Sequence, residues 1–305
     1  MLTVLIPSYN HEKYIVQCIA QAIRIPVDGK KIFIIDDGST DSTVATAKQY
    51  VEDLNLDFVK IIAKQNAGLI SSLNLGLSLA ETEFLYLVAS DDIPHAEGIA
   101  KTVAHLIDHP NCAFCVSGGF NFFSDGRIET PIYGPKHTRF FHLPPDQREV
   151  EMFIDYPSPL LLQSTVFRTE ALRSISGWDP ALAWDDYPIF VKLLMRFPVE
   201  GENFSFRPDI NAVFYRHHGS NSYKNLKKQF LMVRQSLTLL APPSIRDRAL
   251  GRAAAFYLLL ALKDLDFRNI LPTIKNTTLK AKLYAAAYLP RLAIDYLTKK
   301  KNGRS

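Results

Sequence analysis

Four short clusters gather the side chains of this sequence that are able to do chemistry: Pro7-Ser8-Tyr9-Asn10, Asp36-Asp37-Gly38-Ser39, Gln65-Asn66-Ala67-Gly68 and Ser90-Asp91-Asp92. Singly, each reads as a polar loop with a helix cap. All four, however, follow an apolar run, and together they offer an aromatic face, carboxylates and glycine turns to one shared region. Asp91 and Asp92 are hard oxygen donors of the kind Mg²⁺ and Mn²⁺ take. There is no G-x-G-x-x-G fingerprint and no Lys-bearing phosphate loop. A nucleotide at this edge must hold its diphosphate another way, and a divalent cation is the device that the acidic pair offers.

The elements that position these clusters alternate. Apolar runs at Leu2–Ile6, Lys31–Ile35, Phe58–Ala63 and Phe84–Val88 predict four strands. Helical periodicity follows the first at Tyr14, Ile15, Cys18, Ile19, Ala22 and Ile23, a second helix starts near Asp41 or Ser42, and a third covers Leu69–Leu79. Strands apolar throughout, rather than alternating, are those of a parallel sheet covered on both faces. In such a sheet ligands bind beyond the carboxyl ends of the strands, where all four clusters fall. After about Cys112 the pattern becomes mixed: a strand over Cys112–Phe123, a Pro- and aromatic-rich loop from Pro131 to Pro145, a strand near Thr165, a helix over Pro188–Arg196 and a strand over Asn211–Tyr215. Beyond Tyr223 the chain is helical in pattern over Leu226–Leu240, Ile245–Leu265 and Leu279–Leu297, with breaks expected at Pro242-Pro243 and Pro290. The expected division is residues 1–222 and a helical region, 223–305.

Composition bounds the rest. The 305 residues, 47% hydrophobic and 22% charged, exclude a disordered or fibrous chain. A net charge of +4 is too small to call for nucleic acid. The charge is uneven: residues 271–305 carry +7 and the preceding 270 carry −3. Three cysteines suit a reducing cytosol. Cys112 and Cys115 have a zinc-knuckle gap, but half a site in an apolar run reads as buried strand. Met1–Ile6 runs straight into a strand without a leader pattern, and the longest apolar run, Ala253–Leu262, falls far short of the roughly 20 residues that span a bilayer. A cytoplasmic protein, peripheral at the inner membrane face at most, is the expectation.

The strings Thr3-Val4-Leu5-Ile6-Pro7-Ser8-Tyr9-Asn10, Ile35-Asp36-Asp37-Gly38-Ser39-Thr40-Asp41, Asn66-Ala67-Gly68-Leu69, Ser90-Asp91-Asp92, Gly177-Trp178-Asp179, Trp184-Asp185-Asp186-Tyr187 and Tyr215-Arg216-His217-His218-Gly219-Ser220-Asn221 resemble, in order, the family-2 glycosyltransferases. The resemblance covers about residues 2–222. It implies an α/β chain of the GT-A fold, a Rossmann-like mixed sheet flanked by helices, here with a C-terminal helical extension. It also implies inverting transfer from a nucleotide-sugar, a UDP-sugar first, with Mn²⁺ or Mg²⁺ as cofactor. The acceptor would be a glycan or lipid-linked glycan of a bacterial surface polysaccharide, O-antigen or capsule. Carried over by residue, Pro7, Tyr9 and Asn10 would line the base, with Glu12 near the ribose. Asp37 would meet the base edge, and Gly38 and Ser39 would shape that turn. Asn66 and Gly68 would sit beside the nucleotide. Asp91 would lie against the ribose, Asp92 would ligate the metal, and His218, in competition with His217, would approach the metal or diphosphate. Asp186 would be the general base, a plain helix cap being the alternative.

The chain departs from the family in three ways. Asp185 replaces the usual Glu, Leu73 stands where many relatives have Arg before Asn74, and the Gln-x-x-Arg-Trp sequence of processive members is absent, so single-sugar transfer is expected. A sugar nucleotidyltransferase is the enzymatic rival; it wants a Gly-rich, Arg- and Lys-containing segment after the first strand, which Ser8–Lys13 is not. A non-catalytic sugar-nucleotide or glycan-binding protein is the rival from another class. Ile132–Pro145, with Tyr133, His137, Phe140, Phe141 and His142, reads equally as an acceptor lid or a packed loop. Trp178 and Trp184 read as acceptor-stacking or as core. The basic, aromatic tail (Lys280, Lys282, Arg291, Lys299, Lys300 and Lys301 among Leu283, Tyr284, Tyr288 and Tyr296) reads as packed helices with a solvated basic end or as a contact with an anionic membrane.

Overall fold

Strands β1 (Leu2–Ser8), β2 (Lys31–Asp36), β3 (Val59–Ala63) and β4 (Phe84–Leu87) pair in parallel in the order 3-2-1-4, and every residue of β1 and β4 is buried. Helices α1 (Ile15–Ala22), α2 (Thr43–Asp53) and α3 (Leu69–Leu79) make the crossovers. Ile15, Cys18, Ile19 and Ala22 of α1 are wholly buried, the i, i+3, i+4, i+7 stripe that binds a helix to a sheet. The structure is a computed structural model and describes residues 1–123, 125–182, 184–218, 226–263 and 275–301, the side chains of 299–301 excepted. Gly219, Ser220, Asn221 and the side chains of Lys299, Lys300 and Lys301 lie outside the described residues.

The sheet then turns mixed. β8 (Thr165–Arg168) runs antiparallel to β4 and to β6 (Phe114–Phe123); β6 pairs in parallel with β9 (Ser205–His217), and β5 (Ile93–Pro94) closes antiparallel on β9, giving the order 3-2-1-4-8-6-9-5 with β7 (Ile128–Pro131) beside β6. The pairing of β5 with β9 matters most for the site. It sets Ile93 opposite Phe214, so the end of β9 arrives next to the acidic pair just before β5. Helix α4 (Ala96–Asp108) holds β9 at very short range, because a Cβ on Gly98 would stand 1.5 Å from the Asn211 carbonyl oxygen. Gly98→Ala should therefore cost about 3 kcal/mol, the upper end for overpacking, read as a lowered urea midpoint; an unchanged midpoint would refute this close docking.

Two compact units make up the chain: residues 1–145, 157–181 and 185–219, and residues 146–156, 182–184 and 220–305. The first holds the whole sheet together with α5 (Pro135–Phe141), α7 (Thr169–Ser174) and α8 (Asp186–Arg196). The second contains most of α6 (Pro145–Ile154), and α9 (Leu226–Leu240), α10 (Pro243–Lys263) and α11 (Leu279–Lys301). Within it, small residues bring α10 and α11 together: a Cβ on Gly251 would meet Tyr284 Cβ at 2.4 Å, with Ala254, Ala255, Ala281 and Ala285 buried.

Two expectations change, the loop and the helix break, and for Trp178 the core alternative holds. The segment from Ile132 to Pro145, read as a loop, contains the helix α5, with Phe140 and Phe141 fully buried and Phe141 stacked 4.2 Å from Phe206, because Tyr133, Phe140 and Phe141 are cheaper to bury than to solvate. Trp178 is also core, 2% exposed, its indole N–H donating to the Asp185 carbonyl at 3.1 Å. Pro290 does not end the last helix, which continues through it on an exposed face.

Candidate active site

The register of the parallel strands aligns their ends: Ser8 stands beside Asp36, and Asp36 beside Ala63. Asp36, to which the sequence alone assigns no role, organises this edge. Its carboxylate accepts from the Ser8 hydroxyl (2.8 Å), the Ser39 hydroxyl (2.6 Å) and the Ser39 N–H (2.8 Å). Asn10, in the left-handed region at φ 54°, binds the first loop to the second: its N–H donates to Ser39 Oγ and its Oδ1 accepts from Thr40 N–H, both at 2.8 Å. Glu12 extends that link by accepting from Ser42 N–H at 3.0 Å. Tyr9 is left 46% exposed, an aromatic face open at the strand ends, whereas Pro7 is buried in β1.

Asp37 acts on the third loop. Its oxygens accept from Ala67 N–H (2.9 Å), Gly68 N–H (2.8 Å) and the Lys64 ammonium. Against the upward push of burial, the Lys64 hydrogen bond and these amides hold its carboxyl below the ordinary range. Gly38, at φ +76°, permits the approach, since a Cβ there would lie 2.9 Å from the Asn66 nitrogen. Asn66 and Gly68 are exposed, and Gly68 takes φ +85° at the start of α3. The first three predicted clusters thus form one braced rim, with Asp37 as a brace whose oxygens already receive three donors.

The fourth cluster meets the end of β9. His218 Nε2 lies 2.8 Å from Asp91 Oδ2, and His11 Nε2 lies 3.7 Å from the same oxygen while its Nδ1 contacts Ser90 Oγ at 2.7 Å. Burial holds the His11 imidazole below its ordinary value despite Asp91. His217, the competitor, faces elsewhere: it stacks on Phe123 at 4.7 Å and bonds Asn121 at 2.8 Å. Asp92 is the buried member of the pair, 3% exposed. Its Oδ1 accepts from Arg216 N–H at 2.7 Å and its Oδ2 from Gln163 Nε2 at 2.9 Å. Burial, then the Asp91 charge, raises its carboxyl well above the usual range.

No local pattern singles out Gln163 or Arg216 as part of the site. The Arg216 guanidinium donates to the Asp91 carbonyl (2.6 Å) and to Gln17 Oε1 (2.5 Å), and lies over the rings of Tyr14 and Phe122 at 4.9 and 5.0 Å. It is a largely buried cation whose guanidinium holds the Asp91 backbone and whose backbone N–H holds the Asp92 carboxylate. Only its place beside His217-His218 in the motif hints at this.

Asp186 reaches the site by another route. Asn74 of α3 clasps the Trp178 backbone, donating to its carbonyl (2.8 Å) and accepting its N–H (3.0 Å). Trp178 then holds the Asp185 carbonyl. Asp186 follows as the first residue of α8, its Oδ1 accepting Tyr187 N–H at 2.6 Å, while Asp185 makes no side-chain cap. Burial pushes the Asp185 carboxyl up. Tyr133, whose phenol burial drives up to about 12 with a contribution from Asp186, bonds Ser164 Oγ and Leu161 N–H at 2.6 and 2.9 Å. Those residues flank Gln163, the donor to Asp92. The one-turn segment Leu162–Ser164 thus carries the donor to Asp92 and bonds the phenol that feels the Asp186 charge.

The donors at this corner, carboxylate oxygens and imidazole, suit Mg²⁺ or, better for the histidine, Mn²⁺. Asp91 is the more accessible carboxylate, its side chain 17% exposed against 5% for that of His218; the Asp92 oxygens each keep a lone pair beyond the N–H they accept. Among the described residues no three His, Cys, Asp or Glu side chains form a ready-made metal cluster. The cysteines are free and buried, and burial drives Cys115 to about 12.

Comparison with known proteins bears on this geometry. The profile described as "Glycosyl transferase family 2" matches residues 3–167. The chain is 27% identical over 136 residues to glycosyltransferase GlyG of Streptococcus pneumoniae (44% of each chain), and 25% identical over 246 residues to chondroitin synthase of Pasteurella multocida (78% of this chain, 23% of that one). It spans less than half the length of these curated relatives. Among solved structures it resembles Staphylococcus aureus TarS 1–349 in complex with UDP-GlcNAc, with a TM-score of 0.62 at 16% identity over 93% of this chain and 83% of that one. It also resembles the mannosyltransferase PcManGT from Pyrobaculum calidifontis in complex with GDP-Man and Mn²⁺, with a TM-score of 0.58 at 18% identity over 97% and 86%. These likenesses show the GT-A fold.

Proposed function

The chain belongs to glycosyl transferase family 2, and from that premise we propose that it is an inverting, metal-dependent, non-processive transferase. It moves one sugar from a nucleotide-sugar, a UDP-sugar first, to a hydroxyl of a glycan or lipid-linked glycan in bacterial O-antigen or capsule synthesis, on the cytoplasmic side. Residues 1–222 form the transferring domain. Support for the donor class comes from the structural relatives, crystallised with UDP-GlcNAc and GDP-Man. Support for the polymer comes from curated relatives named as polysaccharide synthases. The observation that carries the reading is the meeting of the Asp91–Asp92 pair with the end of β9, where His218 bonds Asp91 and the Arg216 N–H bonds Asp92.

Each residue has a task that follows from its setting. Tyr9 offers the exposed face on which a planar base can stack. Asp37, Gly38, Asn66 and Gly68 keep the rim of that base site in shape. Asp91, Asp92 and His218 would hold the cation, which when bound supplies Lewis-acid stabilisation of the departing diphosphate. Arg216 keeps the acidic pair in place by its backbone N–H and guanidinium. Asp186 accepts the proton of the incoming hydroxyl. Attack opposite the leaving group inverts the anomeric centre, so one base suffices; a glycosidase needs two carboxyls flanking the bond.

A binding screen tests the proposal. UDP, GDP and their sugars are titrated by calorimetry with and without Mn²⁺, and a transfer assay follows on the donor bound most tightly. The expected result is a uridine diphosphate preference and at least about a tenfold gain from Mn²⁺. Binding of every nucleotide alike, indifferent to the metal, would remove the proposal.

A further inference from the structure

Helix α11 carries two apolar faces, and the fold uses one. Ala281 and Ala285 are buried, and Tyr288, Leu289 and Leu292 pack on the cluster formed by Phe230, Ala254, Ala255 and Tyr257. On the other side Leu279, Leu283, Ala286, Pro290, Ile294 and Leu297 recur at intervals of three and four residues, which places them on one stripe at 100° per residue. Every one of them is exposed, Leu279 by 76%, Leu283 by 70%, Ile294 and Leu297 by 61%. Scattered exposed leucines need no explanation, but a continuous apolar stripe on an exposed helix does.

Charge identifies what covers it. Lys280 and Arg291 border the stripe on one side and Lys282 on the other, and all three are exposed. From residue 275 to 298 there are four basic side chains and one acidic, Asp295, which falls away from the stripe. Cations on both edges of an apolar strip repel a second copy of the same helix. They complement an anionic lipid surface, whose headgroups meet the flanks while the acyl boundary receives the leucines. No helix among the described residues is long and apolar enough to cross a membrane. We infer that α11 is an interfacial helix, by which this protein lies on membranes rich in anionic phospholipid. The inference is independent of the transferase reading, and its test uses no sugar.

The experiment is flotation of the full chain with vesicles of phosphatidylcholine alone or with about one-third phosphatidylglycerol, at low and high salt. The protein should float with the anionic vesicles, stay behind with the neutral ones and be released by salt, since each basic side chain near such a surface contributes about fivefold in affinity. A triple variant, K280Q/K282Q/R291Q, should weaken binding on the order of 100-fold on the same scale. The double variant L283E/I294E alters only exposed positions, so its circular dichroism and melting should match the parent while flotation is lost; the milder L283S should reduce it. Failure of the parent to float with anionic vesicles overturns the inference, as does a folded L283E/I294E that floats as the parent does. A parent dimer that L283E/I294E converts to a monomer, without vesicle binding, would assign the stripe to a second copy instead.

Discussion

Asp186→Asn should bind the donor almost as the parent does and transfer almost nothing. The replacement keeps the shape of the side chain, and its amide oxygen can still accept the Tyr187 N–H that Asp186 receives at 2.6 Å. The support from Asn74 through Trp178 to the Asp185 carbonyl consists of backbone and neutral groups, so the start of α8 stays in place. What disappears is the function proposed for it that an amide cannot replace, acceptance of a proton from the incoming hydroxyl. General-base catalysis contributes about 10²–10⁴-fold, and kcat should fall within that range while the KM for donor moves little. Steady-state kinetics with donor and acceptor varied separately make the distinction. Transfer at the parent rate would show that another group is the base; a large rise in donor KM would show that Asp186 holds substrate instead.

The second large effect concerns Asp92. Asp92→Asn removes a charge from a buried position, yet the fold should tolerate it. The new amide oxygen can accept from Arg216 N–H, and the Gln163 amide can turn to offer its own oxygen to the new NH₂. Loss of the negative charge should abolish the gain in donor affinity conferred by Mn²⁺, about 10–100-fold, the range that even outer-shell groups achieve at metal sites. Calorimetry of UDP with and without Mn²⁺ reads it directly. Asp92→Ala is the poorer test, since it also removes the carboxylate that accepts the buried Arg216 N–H, at roughly 1–3 kcal/mol. If Asp92→Asn keeps its Mn²⁺ response while Asp91→Asn loses it, the accessible carboxylate beside His218 is the ligand and Asp92 is a strut.

Much of this site is legible in the amino-acid sequence. The four clusters can be placed because continuous apolar runs fold as buried parallel strands, and parallel strands align their carboxyl ends. Periodicity delimits Leu69–Leu79 and Leu226–Leu240 to the residue, since clear breaks bound both segments. Local chemistry of this kind depends on neighbours a few positions away. The Ile132–Pro145 segment shows where such reading fails: its prolines and glycine look like a loop, but Phe204 and Phe206, more than sixty positions on, supply the surface that turns it into a packed helix. Pro290, a helix breaker by its chemistry, lies inside α11, which continues through it.

The pairing of charges was decided by tertiary structure alone. Nothing local marks Asp36 as the organiser of the rim, or says that Asp92 has both oxygens engaged while Asp91 is turned toward a histidine. Those facts depend on Gln163, 71 positions from Asp92, and on Arg216, 124 positions away. Both arrive because β8 and β9 enter the same sheet as β4 and β5. The residue types and their order established the kind of chemistry available, since a carboxylate is a hard ligand and a base wherever it lies. Which carboxylate stays open and which is spent on the backbone depends on which distant donors the strand order delivers, and an unpaired buried N–H costs too much to leave that choice open.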